Sequence, residues 1–281
     1  GSEMCIRDSN EIPHILNYNI TPSVSSFNFA RKLNSISRKD GKRLNIHIEI
    51  DSGMGRTGIR LDDAEEEIVK IGGLENLIIE GIFSHFPSSE FPLDPLAHDQ
   101  VKKFNELILR LKGRGLKVPL IHFANSGGII NYPRSHFNMV RAGILSFGEY
   151  PGPELKKVIS VKPVMSFKTQ VILVKRFKKG DTISYNRTFK LKRDSHVAVL
   201  PIGYGDGFDF LLSNKGEVLI QGKRYPIIGR VTMDLTMIDL GPDKYIKAGD
   251  ETVLIGCSGK EKITAEDIAN KTGTINYNIL C

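Results

Sequence analysis

Apolar positions along this chain recur with two different periods, and the change comes near residue 160. From residue 10 to about 150, short extended runs alternate with amphipathic helical patterns. YNITPSV (18–24) precedes a helix through SSFNFARKLNSI, HIEID precedes DDAEEEIVKIG, and LIIEGIFSHF (77–86) precedes HDQVKKFNELILRLKGRG. PLIHFANSGG and MVRAGILSFG supply two more strand ends. Repeated strand–helix units cover a sheet on both faces and predict parallel strands, with function collected at the strands' carboxyl ends. Polar residues fall there: Arg56, His85, Asn125, Ser126 and Arg141.

Past residue 160 the helical period gives way to alternation. VMSFKTQVILVKRF, HVAVLPIGYGDG, EVLIQGKRYPIIGRVTMDLTMIDL and ETVLIG read as strands, separated by the turns KKGD and SNKG. A short helix, TAEDIANKTG, follows, with Thr264 and Asp267 as a cap pair. The first half counts about five strands where a closed barrel has eight, so it predicts a partial (β/α)8 TIM-type barrel. The expected layout is α/β: a non-native, adapter-like prefix over residues 1–9, a partial barrel domain over 10–160, and a C-terminal β-strand-rich domain over 161–281. The boundary is expected around the two prolines of EYPGPELKK.

The stretch HIEIDSGMGRTG, His47 to Gly58, is the densest chemical signal: a strand runs into three glycines and one arginine. Its letters spell G-x-G-x-x-G (Gly53, Gly55, Gly58), so a dinucleotide-binding turn is one reading. That motif leads straight into a helix, whereas here Ile59, Arg60 and Leu61 intervene before Asp62, read as an N-cap with Glu65 at the capping-box position. The separation disfavours a nucleotide-binding oxidoreductase. A noncatalytic barrel or ligand-binding protein stays open as an alternative.

Composition narrows the classes further. The 281 residues are 40% hydrophobic and 25% charged, with no apolar run near the length of a membrane span. A net charge of +7 raises nucleic acid as a partner, but KRFKKGD, LKGRGLK and KLKRD are interleaved with acidic residues and read as solvated faces. Cys5, Cys257 and Cys281 have no metal-ligand spacing, which points to no metal and a reducing, cytoplasmic compartment.

HIEIDSGMGRTGI, IHFANSGG, HFNMVRAGI, ISYNRTF, LPIGYGDGF, PIIGRVTMDLTMIDL and GTINYNIL, in that order, resemble the motifs of the alanine racemase family, pyridoxal-phosphate enzymes of fold type III. The resemblance runs from about residue 12 to 281. It implies pyridoxal 5'-phosphate as cofactor, racemisation of L-alanine to D-alanine for peptidoglycan precursors, and a homodimer whose subunits share the active site. Membranes and nucleic acids are not implied as partners.

The chemistry requires removing an unacidic Cα proton from one face and returning one to the other. The resemblance makes Tyr185 the base for the L-isomer. A phenol, with a reference pKa of about 10, acts near neutrality only if neighbours favour proton transfer, and His85 and Arg141 are the implied neighbours. Arg141 also resembles the arginine that faces the pyridine nitrogen. Ser126, with Gly143 and Ile144 and with support from Asn125, resembles the phosphate cradle. Arg56 is implied at the cofactor's phenolic oxygen and the substrate carboxylate, with the Met233 backbone as a second carboxylate contact. Tyr204, nineteen residues after Tyr185, and Asp234 would line the entry.

Two departures stand out. Glu49 occupies a position where many family members carry a carbamylated lysine, and a direct charge-assisted bond from Arg56 to Glu49 is expected. The family's K-A-x-A-Y-G motif, with the cofactor lysine, and its R-x-P-R segment are not among these 281 residues. The chain therefore reads as truncated at both ends and is expected not to racemise alone.

Overall fold

In the computed structural model, which describes residues 12–281, the chain divides into a unit ending at Lys162 and a second unit, Pro163–Cys281. The prefix expected over residues 1–9 lies outside the described residues. In the first unit α1 (Ile12–Asn17) and β1 (Ser23–Val24) lead into α2 (Phe27–Lys39), capped by Ser26, whose hydroxyl accepts the Phe29 N–H at 3.3 Å. β2 (Leu44–Asp51) follows, then β3 (Ile59–Arg60), α3 (Leu61–Gly72), β4 (Leu77–Phe83) and α4 (Pro95–Gly113). β5 (Leu120–His122), α5 (Ser126–Asn131) and α6 (Gly143–Ser146) complete it.

β1, β2, β4 and β5 pair in that order, all parallel, and β3 pairs with β2 off the path. Ile46, Ile48 and Ile50 of β2 are fully or almost fully buried. Each such side chain contributes about 1.5–3 kcal/mol, and a one-residue slip would exchange the two faces of the strand, so the register of its carboxyl end is firmly set. Ala64, Ile68 and Ile71 of α3 and Val101, Phe104 and Leu107 of α4 join the same core.

Three local expectations are corrected. YNITPSV forms only the two-residue β1 at its end. MVRAGI is not a strand: Met139 makes an isolated parallel bridge to His122, and the chain then turns into α6. α3 starts one residue before Asp62, and its N-cap position, Arg60, makes no side-chain cap bond. Glu65 instead receives Arg110 at 2.7 Å and Arg114 at 2.6 Å, a long-range pairing that outcompetes a local box.

The second unit is built of β6 (Phe167–Gln170), β7 (Leu173–Phe177), β8 (Thr182–Ile183), β9 (Phe189–Lys190), β10 (Ser195–Leu200), β11 (Glu217–Ile220), β12 (Lys223–Pro226), β13 (Thr236–Gly241), β14 (Glu251–Ser258) and β15 (Glu261–Ile263). Antiparallel sheets run β13-β10-β7 and β12-β11-β14-β15, with β6 also on β14, while β8 and β9 form a separate ribbon. α7 (Ala265–Thr272) carries the expected cap: Thr264 and Asp267 exchange bonds at 2.8 and 3.0 Å. α8 (Asn276–Leu280) ends the chain. The architecture is a TIM-like α/β unit followed by a β-rich one, and no helix of the described residues is long and apolar enough to cross a membrane.

Candidate active site

At the carboxyl ends of β4 and β5, three polar groups from residues far apart in sequence converge on Arg141. Its Nη1 donates to His122 Nδ1 at 2.6 Å, and its Nη2 donates to the Ser84 carbonyl at 2.8 Å and lies 3.2 Å from His85 Nδ1. Phe83 stacks on His122 at 4.9 Å and carries the guanidinium 5.1 Å above its ring, a cation–π contact that adds to the clamp. A guanidinium can only donate, so His122 Nδ1 accepts and its Nε2 carries the hydrogen. That hydrogen meets His47 Nδ1 at 2.9 Å, which leaves His47 Nε2 to donate toward Glu80 at 3.5 Å. The row needs room. A Cβ on Gly81 would stand 2.6 Å from the His47 ring, so glycine lets the imidazole lie across β4.

Electrostatics agree with this assignment. Burial, then the adjacent Arg141 charge, then His47 lower the His122 pKa to about 3, so the ring is neutral across the physiological range. Burial also holds the His47 pKa below its ordinary value, against the pull of Glu80.

The glycine loop after β2 is shaped by Asp51. Its Oδ1 accepts the Gly53 N–H at 2.9 Å and the Gly55 N–H at 3.1 Å. Burial pulls the Asp51 pKa upward, but these amides and that of Met54 outweigh it and hold the carboxyl below its ordinary value. Gly58 runs into a strand paired to β2, not into a helix, so the G-x-G-x-x-G letters build an Asp-centred turn and not a pyrophosphate site. Arg56 stands exposed on this loop. The loop reaches Glu49 through Thr57, whose hydroxyl donates to Oε1 at 2.9 Å; the bond expected from Arg56 to Glu49 is not seen among the described residues. Ser84 ties the two regions together: its hydroxyl donates to the Ile50 carbonyl at 2.7 Å and accepts from Ser52 at 2.7 Å, while its carbonyl receives Arg141.

Ser126 is buried at the start of α5, behind its N-cap Asn125, which accepts the Gly128 N–H at 2.9 Å and the Ser89 hydroxyl at 2.7 Å. The start of α6 lies beside it, with Leu145 N–H on Ser126 Oγ at 3.3 Å. Gly143 N–H bonds the Arg141 carbonyl at 3.0 Å. A hydroxyl between two first turns, whose amides have no intrahelical acceptor, suits the oxygens of a dianion.

In the second unit, Tyr204 and Met233 are brought together by two backbone bonds, Tyr204 N–H to the Thr232 carbonyl at 3.0 Å and Gly205 N–H to the Met233 carbonyl at 2.9 Å. Tyr204, Met233 and Asp234 are exposed, and Tyr204 meets Phe210 edge-on at 6.4 Å. Tyr185 lies in the turn between β8 and β9, with 69% of its surface exposed. The sequence marked the stretch from His47 to Gly58 but assigned no role to His47, Asp51 or Thr57 within it, and Ser84 lay outside it.

Comparison with known proteins accords with these motifs. The family model described as "Alanine racemase, N-terminal domain" matches residues 4–151, and the one described as "Alanine racemase, C-terminal domain" matches residues 164–281. "Alanine racemase 2" of Caldanaerobacter subterraneus subsp. tengcongensis is 42% identical over 263 residues, 93% of this chain and 68% of the relative. The solved alanine racemase of Clostridium difficile 630 superposes with a TM-score of 0.91 at 33% identity, over 98% of this chain and 71% of that one. The alanine racemase of Bartonella henselae, solved with covalently bound pyridoxal phosphate, gives 0.79 at 28% identity, over 96% and 72%. With both family models in order over most of its length and a curated relative above 40% identity, the chain belongs to the alanine racemase family.

Proposed function

We propose that this chain serves the interconversion of L- and D-alanine for peptidoglycan precursors, in the cytoplasm, with pyridoxal 5'-phosphate as cofactor. The observation that carries the reading is the Arg141 cluster, a permanent cation fixed by His122, Ser84 and Phe83 at the carboxyl ends of β4 and β5. Ser126 Oγ and the Ile144 amide would hold the phosphate, with Asn125 and Gly143 shaping the cradle, and Arg141 would face the pyridine nitrogen. When bound, the cofactor supplies an electron sink for the charge left on Cα, and a cation at that nitrogen moderates the sink.

Within this reading each side chain has a physical task. Tyr185 Oη takes the Cα proton of L-alanine, and His85 with Arg141 favours that transfer. Arg56 and the Met233 amide hold the carboxylate, so the Cα–H bond keeps one direction. Tyr204 and Asp234 narrow the entry. The catalytic form is a homodimer in which the tyrosine of one copy serves the site of the other. Asn125 positions Ser126.

A fusion tests the assignment. Joined between the opening and closing segments of the Caldanaerobacter relative, which are expected to supply the K-A-x-A-Y-G lysine and the R-x-P-R segment, and loaded with cofactor, the chain is expected to convert L- to D-alanine in a coupled D-amino-acid oxidase assay. Tyr185→Phe is expected to lower that rate by about 10²–10⁴-fold, the usual range for a general base, with cofactor absorbance retained. A cofactor-loaded fusion that leaves L-alanine untouched would sink the reading.

A further inference from the structure

Tyr185 presents a physical problem. A base must point one way, yet this ring is largely exposed and gains little direction from packing. Within one chain its direction comes from the backbone, and the backbone around it is unusual. Ser184 has φ 65° and ψ −176°, a region that is close to glycine-only, and Asn186 (φ 58°) and Arg187 (φ 52°) are left-handed. Such residues cost on the order of 1–3 kcal/mol each and persist only where surrounding contacts over-determine them.

The contacts come from one neighbouring segment. Ser184 Oγ donates to the Arg230 carbonyl at 2.8 Å. With its amide oxygen turned toward Arg230, Asn186 accepts from both Nη1 and Nη2 at 3.2 Å. Arg230 therefore grips the residue before Tyr185 with its backbone and the residue after it with its guanidinium. The guanidinium is itself held 5.8 Å over the Phe210 ring. Gly229 allows the approach: a Cβ there would lie 2.6 Å from Ser184 Cβ and 2.9 Å from the Ile183 carbonyl. Asn214 closes the far side, accepting the Gly229 N–H at 2.6 Å and donating to Thr188 Oγ1 at 3.2 Å.

We propose that Arg230 is the positioning residue for Tyr185, acting through Ser184 and Asn186 to hold the strained turn in one conformation without touching the phenol. The inference rests on the proposed role of Tyr185 as the base. Its physical core is independent of that role: a two-point clamp, one bond from Ser184 and a forked pair to the Asn186 oxygen, holds strain in the turn and gives an exposed side chain one direction.

The test separates strain from clamp. In the 281-residue chain with 3-fluorotyrosine at position 185, Asn186→Gly relieves the left-handed strain and removes the grip. It is expected to leave the melting temperature unlowered, broaden or shift the 19F resonance, and speed tryptic cleavage after Arg187 by about tenfold. Arg230→Met is expected to do the same to resonance and cleavage. Asn186→Asp, which can still pair bidentately with Arg230 and tolerates left-handed backbone, is expected to restore both.

In the fusion enzyme, Asn186→Gly and Arg230→Met are expected to lower kcat from L-alanine on the order of 10²-fold with KM within about twofold, as misplacement of a reacting group does. An unaltered resonance and cleavage rate in Arg230→Met would overturn the proposal, as would an unchanged kcat in a fusion where Tyr185→Phe is inactive. If Tyr185→Phe retains full activity, the base assignment fails, and the resonance and cleavage data still decide the clamp.

Discussion

Replacing Arg141 by alanine is expected to destabilise the first unit by on the order of 4 kcal/mol in urea unfolding, more than any other single change at the site. The guanidinium supplies the donors to His122 Nδ1 and to the Ser84 carbonyl, both on buried residues, and each buried acceptor stripped of its donor costs about 1–3 kcal/mol. The lost contact over Phe83 adds to this. Arg141→Lys keeps the charge, but one ammonium cannot span both acceptors as a planar fork does, so about half of the loss is expected to remain. A shift below about 1 kcal/mol in the alanine variant would contradict the clamp geometry, because that is no more than one ordinary net hydrogen bond.

Acid is expected to unfold the same unit through His122. Its folded pKa of about 3 lies far below the unfolded reference of about 6.5, so between these values the unfolded chain takes a proton that the folded one refuses. Stability from this group is complete above about pH 6.5 and falls as pH drops toward 3, by roughly 4 kcal/mol over the whole window. Burial is the largest cause of the shift and the Arg141 charge adds to it, since a second positive charge at 2.6 Å is strongly disfavoured. Urea midpoints measured from pH 7 to pH 4 should fall steeply in the natural sequence and less so in His122→Asn, where the amide oxygen replaces Nδ1 as acceptor without titrating. Parallel slopes in the two proteins would exclude His122 as the acid trigger.

The sequence displayed what is local and periodic. The apolar face of α4, the buried alternation of β2, and the Thr264–Asp267 cap are each written within a few neighbouring residues, and the structure has them. The partial barrel and the β-rich unit follow from those periods. What spacing could not display are bonds between distant strands. His47 and His122 are 75 residues apart, Ser84 and Ile50 are 34, and the bond from the Thr57 hydroxyl to Glu49 ties the glycine loop back to the strand it leaves. The turn at Tyr185 was hidden for a related reason. Its unusual dihedrals fall on serine, asparagine and arginine, where no glycine marks them.

The assignment of hydrogens from Arg141 to Glu80 has one more effect. Each imidazole in that line has one nitrogen committed to receive and one to give, so the rings behave like compass needles pinned at one end by the arginine. No needle can be reversed while the arginine, which can only donate, holds the first. Glu80, on the interior strand β4 and bonded to Thr21 and Asn45, thus marks the pole of a polarity that is set at the proposed cofactor site.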